Sequence, residues 1–520
     1  MAATCVTMLV IVAMTMVAVT SSSRILVIPG TIYSHINMFT VAAKTLQEDG
    51  HEVSILVHDV HAKKIDANIN VLTYPLSENA TMPIAMSRVI QDLTNMDANV
   101  LYKAYYIYNT LSTCLNSFCK ELLGNTQLMN NIRDSKFDLA IVDNGVLFRC
   151  LHFIPYKFDI SRINLGPFQT PWTQGVSSVP FHEPSMTVES RSPQLSFLER
   201  LASFAGALFI EYSSVIMGFD KHAKTFLPEE PQKCITEIMN ESEMTFVTTE
   251  TTCFDFPRVE APNYRFIGSL SGSVTPQVLK PEYKKFADDA KDGLMIISFG
   301  TVTNMQKSLI SPIRMLIEAI GQMKEKAVLQ FNATILGGVK IPPNLLIRDW
   351  LPQTDLLAHH NTKLFITHGG INGHLEATYL GVPLLTLPYT IEQAHNGGRA
   401  EAKGHGKLLK WDETNKDELY RTMREIIDDK SYKQNIMKCR DIIKEIPSAK
   451  EQFSFWVNHV LKHGSRHLRP ISADMSSYQF FGLDIFAVSF TAFLFAVVVF
   501  YCCCRCCVKR CNKYSKIKKD

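Results

Sequence analysis

Net charge is nearly absent from this chain. Lys plus Arg number 53 and Asp plus Glu 50 among 520 residues, a formal +3, and so weak a field excludes the global basic footprint of a nucleic-acid binder. Cysteine is scarce where a disulfide-built fold would need it. Of the thirteen, Cys5 lies in the first apolar segment, and Cys502, Cys503, Cys504, Cys506, Cys507 and Cys511 crowd the far end. The six left in the body are Cys114, Cys119, Cys150, Cys234, Cys253 and Cys439, which contain no Cys-x-x-Cys. They are too sparse for a disulfide framework or a paired-cysteine zinc site, although one or two bridges are open to them. No short-period repeat is present. The composition itself, 46% apolar and 20% charged, suits packed globular domains, and the length allows two or three at roughly 150 residues each.

Residues 1–23 carry no charged side chain, and an apolar run over residues 6–19 ends in Thr20, Ser21, Ser22 and Ser23, small residues of the kind a signal peptidase needs. Near the other end, residues 485–504 are 20 consecutive uncharged positions. As a helix at ~1.5 Å per residue they match a hydrocarbon core of about 30 Å. Seven cations follow (Arg505, Lys509, Arg510, Lys513, Lys516, Lys518, Lys519), whereas Asp484 precedes. That bias predicts a single-pass type I protein with its tail in the cytosol and its body across the membrane. Lys518 and Lys516 stand third and fifth from the carboxyl end, the spacing of a di-lysine retrieval signal, so the expected home is the endoplasmic reticulum membrane. Sequons at Asn79, Asn240 and Asn332 would be usable in its lumen, and the juxtamembrane cysteines are candidates for S-acylation.

Between these ends the chain alternates. Residues 24–29 (RILVIP) read as a strand, 30–35 as a loop, 38–48 as a helix and 52–57 as a strand, a right-handed βαβ unit. Residues 137–142 (FDLAIV) repeat the strand signal, and a less regular stretch runs to about residue 245. Residues 269–285 lose their apolar periodicity and read as a linker. Beyond it come strands at 294–298, 327–331, 345–348, 364–367 and 382–387, with helices at about 309–323 and 373–380. Helices at about 416–428 and 431–443 follow, and 452–462 is expected to lead back toward the membrane. The fold class is α/β: two doubly wound domains, 24–275 and 286–450, facing a cleft.

The segment most loaded with chemistry is 349–396. It opens on Trp350-Leu351-Pro352-Gln353 and passes through a strand into His368-Gly369-Gly370-Ile371-Asn372-Gly373. It then reaches Glu376 and arrives at Glu392-Gln393. A strand that ends in a Gly-Gly turn and then a helix brings free backbone N–H groups and a positive helix end to one point, a site for phosphate. His368 and Asn372 can donate to it, Glu376 can accept from ribose hydroxyls, Trp350 offers a flat face to a base, and Gln353 a donor and an acceptor. Glu392 and Gln393, expected on a loop, can bond sugar hydroxyls.

In this order these residues resemble the signature of the UDP-glycosyltransferase family, in the branch of animal UDP-glucuronosyltransferases, and the rest of the mature chain is similar throughout. The resemblance implies a GT-B-type fold, with a UDP-sugar donor in the second domain and an acceptor in the first. By position it implies that Trp350 stacks on uracil and that Gln353 and Glu376 hold uridine. The diphosphate would meet His368, Gly370, Asn372 and Gly373, and the sugar would meet Glu392 and Gln393. Where the family usually has Asp-Gln, this chain has Glu392-Gln393, and the extra methylene leaves the sugar open. The resemblance also implies a donor contact at Thr301, after the strand LMIIS, and places Arg258 near the interdomain cleft, where it fits pairing with phosphate or a sugar carboxylate and, equally, a structural salt bridge.

Transfer to a hydroxyl needs a base near neutral pH, and His35, at a sheet edge facing the cleft, is the candidate. A helix N-terminus beside it disfavours imidazolium. Asp143, ending FDLAIV at a comparable edge, would orient it. No Asp-x-Asp triplet occurs anywhere, so no metal is expected to clamp the diphosphate and no cofactor beyond the UDP-sugar is called for. His463 and His467 read as surface. Three functions follow. The first is a luminal transferase moving glucuronic acid or glucose to small lipophilic acceptors. The second is a sphingolipid glycosyltransferase, and the third a binding protein without turnover, against which the His35 and Asp143 pair counts. A homo-oligomer stays open.

Overall fold

In a computed structural model the chain is described over residues 22–82, 84, 85, 88, 89, 92, 100–179, 183–185, 188, 189, 191, 192, 194–227, 233–271, 276–300 and 310–517. Most of the expected signal segment, and Thr301, lie outside them.

Arg24–Ile28 is buried at every position after Arg24, and Leu139–Asp143 and Leu294–Ser298 are buried throughout. Strands apolar on both faces belong in parallel sheets covered on both sides. Thirteen strands form two such sheets among the described residues. The first contains β1 (Arg24–Ile28), β2 (Glu52–His58), β3 (Asn70–Tyr74), β4 (Leu139–Asp143), β5 (Ser161–Gly166), β6 (Met244–Val247) and β7 (Tyr264–Phe266), in the order β3-β2-β1-β4-β5-β6-β7. The second contains β8 (Leu294–Ser298), β9 (Lys326–Gln330), β10 (Leu345–Arg348), β11 (Thr362–Thr367), β12 (Leu384–Thr386) and β13 (Gly406–Leu408), in the order β10-β9-β8-β11-β12-β13. Each winds outward one way and then the other, so β1/β4 and β8/β11 are switch points. Open parallel sheets bind ligands beyond the carboxyl ends of such strands.

Helix α1 (Tyr33–Glu48) starts earlier than the sequence reading, so His35 lies in its first turn rather than in a loop. Ile32 at the N-cap offers no capping side chain, which removes the usual start signal. Burial of Ile36, Phe39, Ala42 and Leu46 in the first core holds the helix instead. The 269–285 linker shortens for a related reason: α2 (Pro281–Asp288) begins within it, on a proline at the first helical position, where its missing N–H costs nothing. Around the second sheet lie α3 (Gln353–Leu357), α4 (Ile371–Leu380), α5 (Ile391–Ala402), α6 (Lys416–Asp428) and α7 (Lys430–Glu445).

The stretch 452–462 falls in α8 (Ala449–His463), which returns to the first half. Its Phe453 and Val457 are fully buried in the core that also holds Ile25, Phe39 and Phe246. The halves are further joined by a Cys253–Cys439 disulfide and by the Arg399–Asp255 ion pair. Cys119–Cys150 closes a second bridge inside the first half. Residues 470–520 form a separate unit dominated by α9 (Leu483–Ile517). Its window Leu483–Lys509 has a mean hydropathy of 2.5 and is long and apolar enough to cross a membrane.

Candidate active site

At the first switch point, β1 and β4 run side by side and bring His35 and Asp143 together across 108 residues of sequence. Asp143 is fully buried. Its Oδ2 accepts from the Gly30 N–H at 2.8 Å and from His35 Nδ1 at 2.6 Å, and its Oδ1 accepts from the Gly145 N–H at 2.8 Å. A carboxylate only accepts, so Nδ1 carries the hydrogen and Nε2 keeps its lone pair for the cavity. Phe148 and Phe168 flank the ring, with centroids 5.9 and 6.4 Å away. Burial lowers the pKa of His35, but the charge and hydrogen bond of Asp143, joined by Glu392 from the other half, outweigh it and raise it above the usual value. The expected bias of the helix N-terminus against imidazolium is thus overruled by carboxylates.

At the second switch point, β11 ends at Thr367 and the chain turns through His368, Gly369 and Gly370 into α4. Gly369 has φ 95°, and a Cβ there would stand 2.6 Å from the Gln393 carbonyl oxygen. Only glycine combines that conformation with that approach. No side chain caps α4, so the N–H groups of its first turn and the positive helix end face the cavity. Burial lowers the pKa of His368 to about 4, partly offset by a hydrogen bond to the Ser298 backbone, which keeps the ring neutral at pH 7. Gln353 Nε2 donates to Glu376 Oε2 at 2.8 Å. Burial raises the Glu376 pKa against the pull of Gln353 and Thr354. Trp350 is 57% exposed and meets the ring of Tyr33 edge-on at 6.0 Å.

Glu392 and Gln393 stand in the first turn of α5 rather than on a loop, because Thr390 caps that helix through the Gln393 N–H. Gln393 Oε1 accepts from the backbone of Tyr389 at 2.8 Å and Thr390 at 3.3 Å, so the side chain offers its Nε2 to a ligand. Burial pushes the Glu392 carboxyl up, opposed by Asn396, Arg399 and His35.

One cavity of about 690 Å³ is lined by His35, Trp350, Gln353, His368, Gly370, Asn372, Gly373, Glu376, Glu392 and Gln393. Asp143 stands behind His35. Arg258 lies outside this wall: its Nε donates to Asp255 Oδ2 at 3.0 Å and an Nη to the Pro184 carbonyl at 3.0 Å. Burial pushes Asp255 up, but Arg258 and Arg399 outweigh it and hold the carboxyl well below the usual range. The cavity also contains residues the sequence reading passed over, among them Tyr33, Phe168, Asn396 and Arg399. Arg399, buried and donating to Asn396, links Asp255 to the Glu392 side of the cavity. Nothing in its sequence context marks it, since an arginine inside a helix is ordinarily solvated. Tyr33 had a signal: an aromatic two residues from the candidate base.

Residues 23–519 match the family described as UDP-glucoronosyl and UDP-glucosyl transferase. The chain belongs to that family. It is 28% identical to UDP-glucuronosyltransferase 2B14 of Oryctolagus cuniculus over 502 residues, 92% of each chain. It is also 28% identical to UDP-glucuronosyltransferase 2B15 of Homo sapiens over 528 residues, 96% of each. Among solved structures, the glycosyltransferase VinC in complex with dTDP superimposes with a TM-score of 0.58 at 16% identity, over 85% of this chain and all of that one. The calicheamicin glycosyltransferase CalG4 does so with 0.56 at 17%, over 85% and 99%. These neighbours share the GT-B architecture, and the family makes the chain a UDP-glycosyltransferase.

Proposed function

We propose that the chain moves a hexose, glucuronic acid or glucose, from a UDP-sugar to a hydroxyl of a small lipophilic acceptor in one inverting displacement. The observation that carries this reading is that His35, held by Asp143, and Gly370 of the glycine turn line the same cavity. The acceptor hydroxyl gives its proton to His35 Nε2 while its oxygen bonds the anomeric carbon. The bond from that carbon to UDP breaks, and the electron pair leaves with the diphosphate. Asp143 holds the imidazole and stabilises its charged form. The first-turn N–H groups of α4 and His368 take up the charge that develops on UDP.

Trp350 stacks on uracil, Gln353 and Glu376 hold the ribose, and Glu392 and Gln393 bind sugar hydroxyls. Ile32, Tyr33, Leu147 and Phe168 give the acceptor an apolar wall. No metal is called for, because neutral donors and a helix end stand where an acidic clamp would. The apolar span with its basic flank supports a type I anchor in the endoplasmic reticulum, body in the lumen.

The test is a panel of UDP-sugars against phenols, steroids and lipid extracts on membranes containing the full chain, with EDTA present throughout. The expected result is a glycoside whose anomeric configuration is opposite to the donor's. Retained configuration, or turnover lost to EDTA and restored by a divalent ion, overturns this mechanism; product from lipid extracts alone moves the acceptor to sphingolipids.

A further inference from the structure

Outside the cavity lining, three histidines gather where α8 ends. His459 and His463 are four apart, hence on one helical face. Gly464, at φ 67°, stops the helix, and the short turn Arg466–Leu468 folds back over its last residues. That reversal brings His467 to His459 across eight positions, a pairing that helical spacing does not show. Nε2 of His459 lies 2.8 Å from Nε2 of His467. The ring centroid of His459 is 5.0 Å from that of His463 and 5.0 Å from that of His467. The turn is held in place by Ser465 bonded to Glu243 and by Arg469 donating to the Asn240 carbonyl at 2.6 Å.

Two imidazole nitrogens this close share a single proton, one ring donating and the other lending its lone pair. A metal ion serves both lone pairs once they part to about 3.3 Å, the span of two ~2.0–2.1 Å bonds in a tetrahedral site. His463 and His467 are exposed, so that adjustment, and a rotation of His463 to bring in a third nitrogen, disturb no core packing. Imidazole ligands select borderline cations such as Zn²⁺, Cu²⁺ and Ni²⁺ over Mg²⁺ or Ca²⁺. Lys462 and Arg466, next to these histidines in sequence, oppose a cation. A rival cluster, Glu250 with Cys253 and Cys439, has its ligand atoms within 4.8 Å, but its two sulfurs are bonded to each other.

We propose that His459, His463 and His467 form a surface site for a borderline divalent transition-metal ion, which pins the end of α8 to the turn that follows. Equilibrium dialysis of the detergent-solubilised full chain against Zn²⁺ tests it. Wild type should hold an ion that His459→Asn and His467→Asn each weaken by about tenfold or more, and His463→Asn by less. Unchanged Zn²⁺ affinity in the His459→Asn/His467→Asn double variant overturns the proposal. A second readout uses Trp456, whose ring lies 5.4 Å from His459. Cu²⁺ should quench its fluorescence in wild type at a concentration about tenfold or more below that needed in His467→Asn, a replacement at an exposed position. The same midpoint of quenching in both proteins, with the Trp456→Phe protein as the blank, overturns the proposal too.

Discussion

The two walls of the cavity are assembled over different lengths of chain. Most of the donor wall, from Trp350 to Gln393, comes from one stretch in which a strand, a glycine turn and a helix follow each other directly, joined by Ser298, Phe299, Gly300 and Gln330 from the ends of β8 and β9. The opposite wall takes Tyr33 and His35 from α1, Leu147 and Phe168 from separate loops, and the support of Asp143 from β4. A phosphate cradle is made of backbone N–H groups and a helix end, which a short run of residues supplies by itself. A base and its carboxylate need only adjacent strands, and adjacency in a parallel sheet is indifferent to sequence distance. Proton transfer and nucleotide recognition should therefore separate by wall.

The sharpest test of that separation is His35→Ala. Transfer should fall by about a thousandfold, within the usual 10²–10⁴ for a general base, while UDP affinity measured by calorimetry stays within twofold. If UDP affinity falls along with the rate, the walls are not independent. Next in size, Asp143→Asn should lower kcat by about a hundredfold through loss of the oriented tautomer, and it should also move the pH profile. His35 works as a base only when unprotonated, and its pKa is raised chiefly by Asp143 against burial. The wild-type rate therefore climbs with pH through a midpoint above 6.5, and the Asn variant's midpoint should be lower. A midpoint that does not move would separate Asp143 from the base.

On the donor wall, Glu376→Ala should raise KM for the UDP-sugar about tenfold, with kcat within twofold. It removes a carboxyl hydrogen-bond partner from Gln353 and the nucleotide without touching the reacting atoms. A drop in kcat alone would place Glu376 on the chemical side. The smallest effect on turnover should come from Cys253→Ser, which cuts the bridge between the halves outside the cavity. Removing a native disulfide costs about 2–5 kcal/mol, so thermal unfolding should shift down by several degrees with KM unchanged. Cys119→Ser, opening a loop of 31 residues rather than 186, should cost about 1.5 kcal/mol less in the chain-entropy view. Equal shifts would show that loop length does not govern these bridges.

Much of the architecture was legible because it rests on short-range signals. RILVIP, FDLAIV and LMIIS read as strands from their composition, and residues 369–370 read as a turn from two glycines. The start of α1 was missed because tertiary packing replaced a local signal, for that helix begins without a capping residue. The start of α5 was missed although a local signal was there, the capping box of Thr390 and Gln393, which takes Glu392 and Gln393 out of the loop. Arg258 looked equally fit for ligand or salt bridge, and only its contacts with Asp255 and Pro184 place it outside the cavity wall.

Local chemistry thus accounts for the strands, the glycine turn with its helix start, the order of polar residues along 349–396, and a segment apolar enough to cross a membrane. Each is read from one continuous stretch of chain. The pairing of Cys253 with Cys439, the contact of His35 with Asp143, the upward pull of Glu392 on that histidine and the burial of Arg399 belong to the folded molecule alone. Ionisation, burial and bridging are set by whatever lies within a few ångströms, and those neighbours come from positions far apart along the chain.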